Sequence, residues 1–111
     1  KQSPYSTQIE LMAGDATEII PNLNSEIDIV FIDADKRNYA LYFDLAIDKV
    51  KKGGLIIADN VLWSGKIVLP ENEMDEDTKA IHHFNKKVND DKRVTNLLLP
   101  VRDGLMLMMK L

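Results

Sequence analysis

The sequence predicts an α/β fold with a mostly parallel sheet and an antiparallel hairpin at its end. Two strand-like runs, Asp28–Asp33 and Gly54–Asp59, hold the stretches Ile-Val-Phe-Ile and Leu-Ile-Ile-Ala, which are continuously apolar rather than alternating. Strands covered on both faces by helices read that way. Between them Tyr39, Tyr42, Phe43, Ala46 and Val50 recur at helical spacing. The last two apolar runs, Val94–Leu99 and Leu105–Leu111, are joined only by Pro100–Gly104. So short a link makes antiparallel neighbours, and Asp103-Gly104 is a good turn pair.

The remaining elements follow in order. Ile9–Ala13 is a further strand-like run. Asp15–Glu18 reads as a capping box, and Pro21 confines the helix behind it to one or two turns. The central helix ends in Lys49, Lys51 and Lys52, cations near its negative end, and then Gly53 and Gly54 stop it. Strand, helix and strand make a βαβ unit, whose crossover is expected to be right-handed. The acidic stretch Glu71–Asp77 fits a surface loop or cap, and Ile81, Phe84 and Val88 mark one face of a second long helix. Met106, Met108 and Met109 read as core filler in the final strand. Repeats, linkers and low-complexity segments are absent from the sequence.

Composition narrows the class. A chain of 111 residues makes one small domain, and 45% apolar residues supply a core. A net charge of −4 with scattered basic residues speaks against a nucleic-acid surface. Without Cys, disulfides, thiolate nucleophiles and Cys-based zinc sites are excluded. No apolar run approaches the roughly 20 residues of a membrane-spanning helix, and no signal peptide opens the chain. The expectation is a soluble, cytoplasmic protein. Lys1 stands where a complete chain would begin with Met, which fits a piece of a longer sequence.

Open α/β sheets bind ligands beyond the carboxyl ends of their strands. Asp33 closes one central strand; Asp59 and Asn60 close the other. On adjacent strands, about 4.8 Å apart, the three could share one ion. Two carboxylates and an amide carbonyl suit a hard divalent cation, Mg²⁺ first, with Mn²⁺ and Ca²⁺ not separable from it. The plainer alternative makes both acids caps of the segments that follow. Lys36 could be a general base or a solvated lysine, and Asp35 a cap or a ligand for a polar group. Trp63 could stack on a planar substrate or anchor the core. His82 and His83 are adjacent, so on a helix they diverge and do not pair as metal ligands.

Phe-Ile-Asp-Ala-Asp-Lys (31–36) followed by Gly-Gly-Leu-Ile-Ile-Ala-Asp-Asn-Val-Leu-Trp-Ser-Gly (53–65) resembles the signature of the cation-dependent O-methyltransferases, the family of the caffeoyl-CoA and catechol enzymes. Gly-Asp-Ala (14–16) and Arg-Asp-Gly-Leu (102–105) match in order and spacing, so the resemblance runs from about Ile9 to the end. It implies a Rossmann-like S-adenosylmethionine-dependent fold, of which these residues are the C-terminal portion. Asp33, Asp59 and Asn60 would hold the cation. Asp15, Ala16 and Asp35 would lie against S-adenosylmethionine, Ala16 and its neighbours at the adenine. Lys36 would deprotonate the acceptor hydroxyl, and Asp33, Trp63 and Ser64 would border the acceptor. That acceptor would be a catechol-like or other vicinal diol, and the enzyme a homodimer with no nucleic-acid or membrane partner.

One departure from the family pattern stands out. Members carry a glycine-rich loop and an acidic ribose-binding residue in strand–helix units ahead of this region. Lys1–Gln8 is too short to supply them, and none of the five glycines makes a Gly-x-Gly loop after a strand. Two central strands would be missing as well, which should expose an apolar edge. Two other readings therefore stand beside the first. One is a non-catalytic binding or dimerisation remnant. The other is a Mg²⁺-dependent phosphoryl-transfer hydrolase with Asp33 as nucleophile, since Asp-Ala-Asp (33–35) after a buried strand also resembles the haloacid-dehalogenase start.

Overall fold

The computed structural model describes residues 4–111. Its regular elements are α1 (Ala16–Ile19), β1 (Ile27–Ile32), α2 (Tyr39–Ile47), β2 (Val50–Asp59), α3 (Glu76–Asp90), β3 (Val94–Leu99) and β4 (Leu105–Lys110). Four strands form one sheet in the order β1-β2-β4-β3. β1 and β2 run parallel across α2, and β3 and β4 form the antiparallel hairpin, with β4 antiparallel to β2. The expected α/β architecture is present, with its parallel part in the βαβ unit and the hairpin at the end.

Local chemistry accounts for the element ends. Asp15 caps α1 by accepting from the backbone N–H of Thr17 at 2.9 Å, and Pro21 sits in a 3-10 turn, Ile20–Asn22, that ends the segment. Asp75, within the acidic stretch, caps α3 by accepting from the N–H of Thr78. The end of α2 differs from expectation. Val50 belongs to β2 and pairs with Ile27, and Lys51 and Lys52 lie in the strand. The cation at the helix end is Lys110 of β4, whose Nζ donates to the carbonyls of Ile47 (2.8 Å) and Val50 (2.9 Å). A residue 63 positions from Ile47 could not be read as a helix cap from local pattern. The register shifts between Ile27 and Ile29, and Gly54 sits where a Cβ would lie 2.8 Å from the Asp28 carbonyl.

The core lies on one side of the sheet. Ile32, Ile56, Ala58, Met106, Met108 and Val94 are buried together with Tyr39, Phe43 and Ile47 of α2 and Ile81, Phe84 and Val88 of α3. Phe84 is the joint between the helices, meeting the Tyr39 ring edge-on at 5.4 Å and the Phe43 ring at 6.4 Å. Met109 points away from this core, contrary to the core-filler reading, because alternate residues of β4 face opposite sides of the sheet.

The opposite face is apolar and uncovered. Pairing aligns Phe31, Ile57, Leu107 and Leu97 in one row across all four strands, and Ile29, Leu55 and Met109 in the next. Ile29 and Phe31, on the edge strand, are 58% and 57% exposed, which is the exposed apolar edge the sequence predicted. Ile9–Ala13 forms no strand, and Leu11 is 84% exposed. A strand needs a neighbour to take its backbone hydrogen bonds, and among the described residues the sheet stops at β1. No helix among the described residues is long and apolar enough to cross a membrane.

The two sheet faces should respond oppositely to substitution. Phe84→Ala is expected to cost about 3–5 kcal/mol in urea unfolding, the usual penalty for emptying a core aromatic site. Ile29→Thr on the uncovered face should change stability by no more than about 0.5 kcal/mol.

Candidate active site

Adjacent parallel strands that end at the same level bring their terminal residues together. Ile32 pairs with Ala58, so Asp33 and Asp59 follow one residue later on neighbouring strands. Asn60 comes next in a left-handed conformation (φ 62°), turning the chain out of the sheet while its N–H donates to Asp59 Oδ1 at 2.8 Å. All three expected cation ligands thus stand at one end of the sheet.

Lys36 reaches into the same place. A 3-10 turn, Lys36–Asn38, precedes α2 and folds the lysine back over the strand ends. Its Nζ lies 3.5 Å from Asn60 Oδ1 and 3.8 Å from Asp33 Oδ1, and its side chain is only 10% exposed against 56% for Asp33. It lies 5.5 Å from the centre of the Trp63 ring. Its strongest contact is one the sequence did not suggest: Nζ donates to the Tyr39 hydroxyl at 2.7 Å. That hydroxyl donates in turn to the carbonyl of Asp59 at 2.9 Å. Burial, with the nearby charges of Asp33 and Asp59 adding to it, holds the Tyr39 phenol well above its ordinary range, so it stays protonated. The helical spacing places Tyr39 only on an apolar face, and no local signal marks its hydroxyl as a tether.

Among the described residues no group of three His, Cys, Asp or Glu side chains gathers as a metal cluster. The candidate set is two carboxylates and an amide, and its chemistry fits a hard cation. Asn60 Oδ1 and Asp33 Oδ1 converge on a point that already holds the Nζ of Lys36. Oxygen donors from fixed strand ends, with one side open to solvent, are what Mg²⁺-type sites use.

Trp63 and Ser64 occupy a strained loop. Asn60, Trp63 and Ser64 all have positive φ, which costs on the order of 1 kcal/mol or more for each such residue. The hairpin turn holds this loop in place. Asp103 Oδ1 accepts from the N–H of Ser64 at 2.5 Å, and its Oδ2 accepts from Asn60 Nδ2 at 3.2 Å. The N–H groups of Val61 and Leu62 donate to the carbonyls of Gly104 and Asp103. Gly104 permits the approach, since a Cβ there would lie 2.6 Å from Leu62 Cγ. Trp63 packs against the core, as the anchoring reading expects, with Lys36 Nζ over its ring face; its indole N–H is buried without a partner among the described residues. A cavity of about 660 Å³ opens here, lined by Phe31, Asp59, Asn60, Ser64 and Asp103 among others.

A second hollow, about 190 Å³, lies beside it between β1 and α1. Ala16, Asp33, Ala34 and Tyr42 line it. Asp35 accepts hydrogen bonds from the hydroxyl of Tyr42, one of these lining residues, and from Asn38 Nδ2. The Tyr42 bond is the main cause that lowers the Asp35 carboxyl below its ordinary value, and the same bond raises the Tyr42 phenol. The Thr17 hydroxyl and backbone hold Asp15 low. Ala16 and Asp33 thus share the lining of the smaller hollow, and Asp59, Asn60 and Ser64 that of the larger cavity.

A family profile described as O-methyltransferase matches residues 1–111. The chain belongs to the O-methyltransferase family. It is 44% identical over 84 residues to "Probable caffeoyl-CoA O-methyltransferase 2" of Dictyostelium discoideum, covering 76% of this chain and 36% of that protein. Identity to the caffeoyl-CoA O-methyltransferase of Stellaria longipes is 33% over 115 residues, covering 95% of this chain and 48% of that one. The SAH-bound methyltransferase PaMTH1 of Podospora anserina superposes with a TM-score of 0.82 at 26% identity, covering 96% of this chain and 53% of that structure. The chain thus spans about half the length of such relatives, or less. This kinship sets the methyltransferase reading above the phosphoryl-transfer reading of Asp33.

Local sequence pattern does not mark Tyr39 or Asp103 as site residues. The motif Arg-Asp-Gly-Leu (102–105) was visible, but only folding brings it against residues 60–65.

The Asp35–Tyr42 bond gives a pH signature. A carboxyl held low in the folded state adds stability above the unfolded-state value, roughly 3.9, and loses it as pH falls through the lower folded value. Tyr42→Phe should bring the Asp35 titration, followed by carboxyl-carbon NMR, up toward the ordinary carboxylate range. An unchanged titration would mean that Tyr42 is not what holds Asp35 low.

Proposed function

We propose that this chain is the cation- and acceptor-binding portion of an S-adenosylmethionine-dependent, divalent-metal-dependent O-methyltransferase acting on a catechol-like or other vicinal diol. The observation that carries the reading is the convergence of Asp33, Asn60 and Lys36 at the paired ends of β1 and β2. Support comes also from the family match and from relatives whose names specify caffeoyl-CoA.

Asp33, Asp59 and Asn60 would hold the cation, with Mg²⁺ the best fit to an all-oxygen set. A bound divalent cation supplies charge that lowers the pKa of a coordinated hydroxyl and orients it. The chain's own residues do the rest. Lys36 takes the proton of the acceptor hydroxyl at Nζ, held for that task by Tyr39, which ties it to the Asp59 carbonyl. Trp63 and Ser64 border the acceptor, together with Asp33. Asp15, Ala16 and Asp35 line the cofactor side, where the hollow beside Ala16 is of a size to accept part of a nucleoside. Placing the acceptor oxygen on one side of Asp33 and the cofactor on the other makes transfer a matter of positioning. The acceptor is a small molecule, with no nucleic acid or membrane involved. The uncovered apolar face supports packing against further polypeptide, a second copy in the homodimer expected of the family.

Methyl transfer from S-adenosylmethionine to a caffeoyl-type catechol tests this directly. Activity should require Mg²⁺, vanish with EDTA, and fall about 10²-fold or more in Lys36→Met, the usual contribution of a general base. Transfer that persists in EDTA would remove the metal-dependent reading. Transfer that survives Lys36→Met unchanged would remove the base.

A further inference from the structure

We propose that Asp103 is a positioning residue for the cation site, fixing which end of the Asn60 amide faces Asp33 and Asp59. This rests on the proposed cation site and adds a residue to it. An amide side chain has an oxygen that accepts and a nitrogen that donates, and rotation by half a turn exchanges them. For Asn60 the exchange decides whether the site receives a ligand oxygen or an N–H₂ group that cannot bind a cation. Packing cannot make that choice, because the two ends are nearly the same size. Charge can. Asp103 is a carboxylate and accepts only; its Oδ2 lies 3.2 Å from Asn60 Nδ2. On the other side stands Lys36, whose Nζ donates to Asn60 Oδ1 at 3.5 Å. With an acceptor behind and a donor in front, one orientation satisfies both neighbours and the other satisfies neither.

Asp103 is itself held so that it can do this. Its second oxygen accepts from the N–H of Ser64, and its own carbonyl accepts from Leu62. The neighbouring Gly104 carbonyl accepts from Val61. The carboxylate therefore has one oxygen for the loop backbone and one for the amide. Groups of this kind, which do not touch the ion but orient those that do, commonly change metal affinity 10–100-fold when altered.

The test uses Mn²⁺ as probe, titrated into the 111-residue chain and followed by water-proton relaxation, with thermal unfolding recorded for every variant. Asp103→Asn is nearly isosteric. Its oxygen can still take the Ser64 N–H, but its N–H₂ then faces Asn60 and draws the Asn60 oxygen away from the site. Mn²⁺ affinity should fall tenfold or more with little change in the unfolding midpoint. The reciprocal pair N60D/D103N keeps the total charge and restores a donor facing an acceptor, so affinity should return to within about threefold of the unsubstituted chain. Loss in the single variant with recovery in the pair is the expected result. Asp103→Asn binding Mn²⁺ as the unsubstituted chain does would overturn the inference and leave the cation site standing. Loss without recovery in a folded pair would reduce Asp103 to a loop support and overturn it equally. No Mn²⁺ binding by the unsubstituted chain would remove the cation site, and this inference with it.

Discussion

Parallel pairing of β1 with β2 is the constraint on which everything at the site depends. Because Ile32 is matched with Ala58, the strands release Asp33 and Asp59 at the same level, one inter-strand spacing apart. A shift of one residue would turn one carboxylate to the other face of the sheet and dissolve the cluster. The register is kept by burial on the helix side, where Ile32, Ile56 and Ala58 pack under α2 and α3. The bulge at the opposite end, around Gly54, absorbs the mismatch in strand length away from the site.

The second feature is the contact between two turns distant in sequence. Residues 60–65 adopt a conformation with three non-glycine residues at positive φ, which an isolated peptide would not hold. The hairpin turn around Asp103 and Gly104 offsets this with four hydrogen bonds, two of them to a carboxylate. Strain and its compensation sit beside the strand ends, so the same bonds that stabilise the loop also aim its side chains. Lys36 is handled alike: Tyr39 in the first turn of α2 connects its amine to the backbone of Asp59. Helix, strand and loop thereby meet at one point.

The sheet is finished on one face only. The strand sequences are apolar on both faces, and the rows Phe31–Ile57–Leu107–Leu97 and Ile29–Leu55–Met109 lie open. Such a surface is larger and more continuous than the scattered apolar residues of an ordinary protein exterior. The hollow beside Ala16 and the cavity beside Asn60 both reach its rim through Phe31.

Much of this was legible in the sequence, for a local reason. Continuous apolar runs gave β1 and β2, helical spacing gave α2 and α3, and the short polar link gave the hairpin. Acid and amide residues at two strand ends pointed to the cation set, and the motifs around them to the family. These are short-range patterns, set by the two or three repeats that backbone geometry allows. What the sequence left open was decided by long-range contact. Ile9–Ala13 has strand composition but no partner, so it is not a strand. Lys110 closes α2 from 63 residues away, Tyr39 turns from core residue to tether, and Asp103 from turn former to anchor of the loop at Asn60 and Ser64. The sequence by itself determined the family, and which elements bear the acid, amide and lysine residues at the strand ends. Only the tertiary structure decided how those side chains are held, because a hydrogen bond between distant positions leaves no period in the chain.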